Sequence, residues 1–121
     1  FRKAAEQGHS FSQVGLAHMY RDGKGVERDE KEAVKWFRKA AEQGHAEAQF
    51  TLGAMYYYAK GMPKDNVTTY AWYTLAAANG HETAKKLKGI IAKEMTADQI
   101  VEGQKLSKEM LKKNPKLINK P

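Results

Sequence analysis

Residues 37–45 read FRKAAEQGH, and the same nine letters occupy residues 1–9. A looser copy, YTLAAANGH, occupies residues 73–81, so the stretch recurs with a constant period of 36 residues. Internal repeats with a period of about 20–50 residues are typical of solenoids, in which each unit buries its apolar face against the next. The period therefore predicts a stack of similar units rather than a domain built around one central core.

The apolar spacing of the first full unit, residues 10–45, predicts two helices. The first (the A helix) covers residues 10–21, and the second (the B helix) covers about 30–43. A glycine-rich turn separates them. Asp29 is a favourable residue just before a helix, and Glu32 three positions later fits the capping-box pattern. Each unit is thus predicted to be a pair of antiparallel helices.

The second full unit, residues 46–81, repeats this plan. We predict an A helix over 46–58, a turn over 60–63 and a B helix that follows Asp65 and ends near residue 79. The letters shared between the two units are mostly apolar, small or helix-capping residues. This is expected when packing between units, and not chemistry, sets the period.

The ends of the chain depart from the full repeat. Residues 1–9 match the end of one unit, and residues 82–95 match only the beginning of another. Residues 96–113 are predicted to form a lysine-rich helix that starts with the capping-box pattern Thr96 and Gln99. We interpret this helix as a C-terminal cap over the last apolar face. Residues 114–121, NPKLINKP, are predicted to be a disordered tail.

The net charge of +7 is concentrated in the C-terminal third. Residues 1–81 carry 11 basic and 9 acidic residues, whereas residues 82–121 carry 10 and 5. This excess fits either a solvated capping helix or attraction to an acidic partner. Residues 82–121 contain no Arg, Phe, Tyr or Trp, so the pattern of a nucleic-acid binder is not met and no nucleic-acid partner is expected.

Composition also bears on the cellular compartment and on membrane insertion. No apolar run is long enough to cross a bilayer, so membrane insertion is not expected. Cysteine is absent, which excludes disulfides and thiolate metal sites but fits the cytoplasm and the periplasm equally. Because the chain begins inside a repeat, we interpret it as the C-terminal part of a longer protein. We also expect the exposed repeat end at residues 1–7 to permit self-association.

The repeated letters resemble the Sel-1-like repeat (SLR) family, which is related to the tetratricopeptide repeat. The period of 36 favours this family over the tetratricopeptide repeat, whose period is about 34. The helix after the repeats also resembles the ending of bacterial members. The letters that carry the resemblance in the second unit are Ala46-Glu-Ala-Gln, Leu52-Gly53, Tyr56, Gly61, Asp65, Trp72, Leu75-Ala-Ala-Ala and Gly80.

The resemblance implies an all-α fold, a right-handed α/α superhelix of antiparallel helix pairs. It also implies a scaffold or adaptor role in signalling, envelope or virulence-related complexes. The family has no common catalytic residues that could be carried over to this chain. The resemblance therefore implies no cofactor.

Three histidines, His9, His45 and His81, hold the same place in successive units. Stacked helices lie about 8–10 Å apart, too far for equivalent imidazoles to share one metal ion at a bond length of about 2 Å. We expect each imidazole to meet the terminal carbonyls of the preceding helix instead. No paired carboxylates or nucleophile-base sets follow from the spacing, so no catalytic and no metal site is predicted.

The predicted binding surface is the concave side of the solenoid, which the A helices line. Aromatic and Arg side chains on this side favour a protein or peptide partner. The alternative is that Phe50 and Val14 belong to the core and that Tyr57 is an ordinary surface residue. The candidate partner-binding residues are Phe11, Val14, His18, Arg21, Phe50, Ala54, Tyr57, Tyr58, Lys86 and Ile90.

These observations favour a non-enzymatic scaffold or adaptor that binds a protein or peptide on the concave A-helix surface. A structural spacer within a longer solenoid is the alternative from a different class. An enzyme of unknown class is a weaker alternative, since no catalytic constellation supports it. The two leading hypotheses differ in whether changes on the A helices disturb a partner without disturbing the fold.

Overall fold

The computed structural model describes residues 8–60 and 64–119. Within these two ranges the chain is all-α: no strand is found there, which confirms the predicted fold class. The predicted helix end at residues 1–7 and most of the turn through residues 61–63 lie outside the described residues. The elements are α1 (Ser10–Asp22), α2 (Glu30–Glu42), α3 (Ala46–Tyr58), α4 (Asn66–Ala78), α5 (Glu82–Ala92), α6 (Ala97–Lys113) and a 3-10 turn (Pro115–Leu117).

The two B helices, α2 and α4, are each preceded by a capping aspartate, and these aspartates are one period apart. The side chain of Asp29 accepts hydrogen bonds from the amides of Lys31 and Glu32, and Asp65 accepts one from Thr68. The backbone N–H of Asp29 donates to the carbonyl of Tyr20 at the end of α1. That bond ties the start of the B helix to its own A helix.

The core follows the stack as two adjoining clusters. The first lies among α1, α2, α3 and one side of α4, and it includes Leu16, Phe37 and Leu52, each at most 2% exposed. The second lies among α4, α5 and the turn after α5 and includes Tyr73 and Ile91. Each A helix therefore buries its apolar side against a B helix, while its other side faces outward.

The capping helix α6 packs against α4 by a close approach at Gly103. A Cβ atom at Gly103 would lie 2.7 Å from Cδ1 of Tyr70, so only glycine allows this contact. The helix begins with the capping box predicted at Thr96 and Gln99, which exchange hydrogen bonds of 3.1 and 2.9 Å. The contact between Gly103 and Tyr70 fixes the direction in which the chain leaves the repeats.

The predicted disordered tail differs from the structure over residues 114–119. These residues form a 3-10 turn and an extended end that lie against the first two repeats, and Leu117 is 2% exposed. The physical reason is that Leu117 joins the first core cluster, while side-chain amides of the repeats bind its backbone. Residues 120 and 121 lie outside the described residues.

Candidate functional site

The ten candidate residues share a helical register on α1, α3 and α5. The fifth and ninth residues of each A helix are Val14 and His18, Phe50 and Ala54, and Lys86 and Ile90. Residues four apart lie on the same side of a helix. The remaining candidates, Phe11, Arg21, Tyr57 and Tyr58, lie at the second, twelfth or thirteenth residue, which continue the same stripe. We call these ten residues the A face.

Three large apolar side chains on the A face are exposed to solvent. Phe11 is 82% exposed, Tyr58 67% and Ile90 52%, one on each A helix. Among the described residues, the other exposed large hydrophobic side chain is Val101 on α6, at 59%. None of the ten A-face residues is buried. The exposed apolar side chains of the described chain are thus concentrated on the A helices.

Other members of the A face also support the core. Val14 packs against the first cluster, and Phe50 and Tyr57 pack against the second. The ring of Phe50 stacks on buried Tyr73 at a centroid distance of 5.3 Å. The alternative that Val14 and Phe50 belong to the core is therefore met only in part, because both side chains are half-buried against it. Substituting them would change the fold together with the surface.

Helices α3 and α5 are joined by a histidine contact. The Nδ1 atom of His81 accepts a hydrogen bond from the amide of Ala84 at 3.1 Å, and its Nε2 lies 3.0 Å from Oε2 of Glu47. A neutral imidazole protonated at Nε2 meets both contacts at once. Phe50 stacks on the same imidazole at 4.5 Å. The contact holds the beginnings of the two A helices together.

A second contact joins the far ends of the same two helices. The hydroxyl of Tyr57 donates to the carboxylate of Glu94, with oxygen distances of 2.7 and 2.9 Å. This hydrogen bond is the main reason that the pKa of Tyr57 is raised, because it stabilises the protonated phenol beside a negative charge. The ammonium of Lys64 lies 4.6 Å from the ring centroid of Tyr57. The junction between α3 and α5 therefore has polar contacts at both ends.

The junction between α1 and α3 contains a different set of side chains. Phe11 meets the ring of His45 edge-on at 5.2 Å. The equivalent positions one period later are Glu47 and His81, whose contact joins α3 and α5. At the other end, Arg21 and Tyr58 hold the positions that Tyr57 and Glu94 hold one period later. The guanidinium of Arg21 lies 5.8 Å from the ring centroid of Phe37 and 3.3 Å from Asp22.

His18 lies near the middle of α1 with its ring against Phe37. The two rings meet edge-to-face at 5.0 Å. Burial lowers the pKa of His18, and the positive charge of Arg21 lowers it further. The lowered pKa favours the uncharged imidazole at neutral pH.

A cavity of about 360 Å³ lies beside the A face at the end of α1. It contains more basic than acidic side chains, and Arg28 pairs with Glu30 at 2.9 Å. Its lining residues are Arg21, Asp22, Arg28, Glu30, Met55 and Lys60.

The repeated histidines have a role that differs from the one expected. His45 and His81 precede α3 and α5, and their Nδ1 atoms accept hydrogen bonds from the amides of Ala48 and Ala84. The expectation that the imidazoles meet carbonyls of the preceding helix is wrong for these two. Their place immediately before a helix was visible in the sequence and is the usual place of a capping acceptor. Within the described ranges, no three His, Asp or Glu side chains lie together in a way that could hold a metal ion.

Several residues near the site were not selected from the sequence. Glu94 and Lys64 contact Tyr57 from outside the A helices, and nothing in the helical period predicts such contacts. Gln49 and Asn79 form a hydrogen-bonded pair at the corner between the B and A helices. The signal available was Gln13 and Gln49, polar letters that repeat among otherwise apolar ones.

A family model described as Sel1 repeat matches residues 1–9, 10–45 and 46–81, which is well over half of the 121 residues. The chain belongs to the Sel1 repeat family. Sel1 repeat proteins are generally protein-interaction scaffolds and generally have no catalytic activity of their own. The match confirms the resemblance stated from the sequence, including the relation to α/α solenoids.

Two solved structures show the same Sel1 architecture. The chain is similar to c5321, a protective antigen present in uropathogenic Escherichia coli strains and displaying an SLR fold, with a TM-score of 0.90 and 38% identity. That match covers 96% of this chain and 25% of c5321. A Sel1 repeat protein from Oxalobacter formigenes matches with a TM-score of 0.71 and 43% identity, over 73% of this chain and 66% of that one. These likenesses confirm the right-handed superhelix of helix pairs.

A curated relative matches over a stretch close to the length of one repeat. It is an exopolysaccharide production negative regulator from Rhizobium leguminosarum bv. viciae, 54% identical over 35 residues. The match covers 29% of this chain and 13% of the regulator. The described part of the chain contains no helix that is both long and apolar enough to span a bilayer.

Proposed function

We propose that the protein is a non-enzymatic adaptor that binds a protein or peptide on its A face, the concave side of the solenoid. One observation carries the proposal: Phe11, Tyr58 and Ile90 are exposed, and each lies on a different A helix. Exposed apolar side chains on successive units, with polar neighbours, are consistent with the extended binding surface that solenoids present. The family supports the class of function, because Sel1 repeat proteins are generally scaffolds.

The charges beside the A face support a partner with an acidic residue. Arg21 and Lys86 belong to the face, and Arg28 and Lys60 line the neighbouring cavity. Aromatic and Arg side chains are enriched among residues that dominate binding energy. A partner segment with apolar side chains and one carboxylate would therefore match both features.

The proposal is tested by photo-cross-linking in the cell of origin. A photo-reactive amino acid replaces Tyr58 in one variant and Val101 in a matched control. Both residues are large, apolar and exposed, but only Tyr58 lies on the A face. We expect a specific cross-linked protein at position 58 and none at position 101. Absence of any specific product at 58, with the fold intact, would favour the structural spacer.

A further inference from the structure

The segment after α6 is bound like a peptide ligand by two side-chain amides of the repeats. The carbonyl of Leu117 accepts hydrogen bonds from Nε2 of Gln49 and from Nδ2 of Asn79, both at 2.8 Å. The backbone N–H of Asn119 donates to Oδ1 of Asn79, also at 2.8 Å. These bonds are made to backbone groups, so any extended segment could supply them.

Three side chains of the segment contact the repeats. The side chain of Leu117 is 2% exposed and lies in the first core cluster, and half-buried Ile118 packs against the same cluster. The amide of Asn119 donates to the carbonyl of Gly44 at 2.6 Å. The carbonyl of Lys116 and Oδ1 of Asn119 lie where a Cβ of Gly44 would be, so the missing side chain makes room for the segment. The side chains of Pro115 and Lys116 are exposed and add little.

The amide pair that binds the segment belongs to the repeat. Asn79 donates to Oε1 of Gln49 at 2.9 Å, and one period earlier Gln43 donates to Oε1 of Gln13 at 2.8 Å. Gln49 also donates to the carbonyl of Ala41 at 3.0 Å, which ties successive units together. The corner is therefore present because of the stack, and the segment occupies it.

The link at Asn114 between α6 and residues 115–119 allows these residues to leave the corner. Asn114, between α6 and the 3-10 turn, has φ −140° and ψ 87°, so the helix ends before the segment begins. Short segments held by a few contacts open at a lower free energy than the whole domain unfolds. The segment can therefore leave the corner while α6 stays on α4.

We propose that the corner formed by Gly44, Gln49 and Asn79 is a peptide-binding site for an extended segment with the pattern leucine, apolar residue, asparagine. Residues 115–119 occupy it in cis, and a partner protein that presents the same pattern replaces them. The apparent affinity for the partner equals the intrinsic affinity multiplied by the fraction of molecules with an open corner. This site adjoins the A face at Phe11, which lines a cavity with Gly44, Asn79 and Asn119, but Tyr58 and Ile90 do not line that cavity. Failure of the peptide-binding proposal would therefore leave the adaptor function proposed for the A face untouched.

The test uses the full chain with one added cysteine. The protein has no cysteine, so Lys116→Cys gives a single labelling position on an exposed residue of the segment. The probe is a peptide with blocked ends that copies residues 114–119, NPKLIN. We expect a saturable fall in dye anisotropy as the peptide displaces the segment. A peptide with serine in place of the leucine should leave the anisotropy unchanged.

A second variant makes the cis competition visible. Asn119→Ala removes one hydrogen bond from the resident segment but leaves the corner intact, and a bond of this kind is worth about fivefold in the equilibrium. We expect half-displacement at about one fifth of the peptide concentration. The matched control is Lys112→Ala, on an exposed residue of α6, which should not shift the curve.

Two results would overturn the proposal. One is an anisotropy that the peptide never changes, in both the Lys116→Cys protein and its Asn119→Ala derivative. The other is a dimer in light scattering without peptide, because a second copy of the chain would then be the occupant. Tyr58→Ser in the same assay should not shift the displacement curve, which separates this site from the A face.

Discussion

The corner at Gly44 and the corner at Gly80 have the same backbone but different surroundings. Each glycine follows a B helix with a positive φ, 87° and 90°, and each precedes a histidine that caps the next A helix. At Gly44 the space of a Cβ is filled by Lys116 and Asn119, whereas nothing lies within 4 Å of that position at Gly80. The period therefore determines the backbone at each position, and the place in the stack determines what contacts it.

The ends of α1 and α3 allow a second comparison of equivalent positions in the two repeats. Gly23 and Ala59 are one period apart, and both adopt the left-handed conformation, with φ of 73° and 58°. This conformation costs an L-residue about 1 kcal/mol or more, and only glycine adopts it freely. The second repeat therefore keeps a strained residue where the first has the favourable one.

The largest expected effect separates the two corners. Gly44→Ala should lower the free energy of unfolding by about 3 kcal/mol, since it adds overpacking against the C-terminal segment to the conformational cost. Gly80→Ala should cost about 1 kcal/mol, because only the conformational term applies. Urea unfolding of both variants measures the difference. Equal losses would mean that the segment does not press on Gly44.

Smaller changes in the free energy of unfolding are expected at the ends of α1 and α3, and the two variants should have opposite signs. Ala59→Gly should stabilise the protein by about 1 kcal/mol, because it relieves the left-handed strain. Gly23→Ala should destabilise it by about the same amount. The two variants are each other's control, since they exchange the same residue types at equivalent positions. Thermal unfolding that shifts both melting temperatures in the same direction would contradict the equivalence.

The smallest effect concerns the pH dependence of the histidine cap. Burial lowers the pKa of His45 from 6.5, despite the nearby charge of Glu47, and its Nδ1 must stay unprotonated to accept from Ala48. The unfolded chain therefore takes up the proton first as the pH falls. The contribution of His45 to stability is complete above pH 6.5 and is lost as the pH falls through the lowered pKa.

The control for this prediction is His45→Asn, which keeps a capping acceptor that does not titrate. Its free energy of unfolding should fall less steeply than that of the parent between pH 7 and about pH 5. His18 also has a lowered pKa, but it is present in both proteins and cancels in the difference. Parallel curves would show that His45 is not the responsible group.

Most of the fold could be predicted from the sequence because its signals are local and repeated. The predicted A helix over 46–58 coincides with α3, and the capping box at Thr96 is present as predicted. The order of residues 114–119 could not be predicted, because it depends on Gly44, Gln49 and Asn79, which are distant in the chain. A short segment with Pro115 has the same composition whether it is bound or free.

The candidate site was predictable to a smaller extent. The helical period indicates that Phe11, Tyr58 and Ile90 share one side of the A helices. This prediction requires only the positions of the core residues in each helix. It does not indicate that His81 and Glu94 close the junction between α3 and α5. Those contacts depend on how far successive units are rotated, and no sequence pattern specifies that rotation.

The most direct test of the A face is the binding of the protein captured at position 58 to a triple variant, Phe11→Ser, Tyr58→Ser and Ile90→Ser. Titration calorimetry should show at least about a tenfold loss of affinity, since exposed aromatic anchors carry much of the binding energy. The free energy of unfolding should change by no more than about 0.5 kcal/mol per site, and Val101→Ser should bind like the parent. Unchanged affinity in the triple variant would contradict the account.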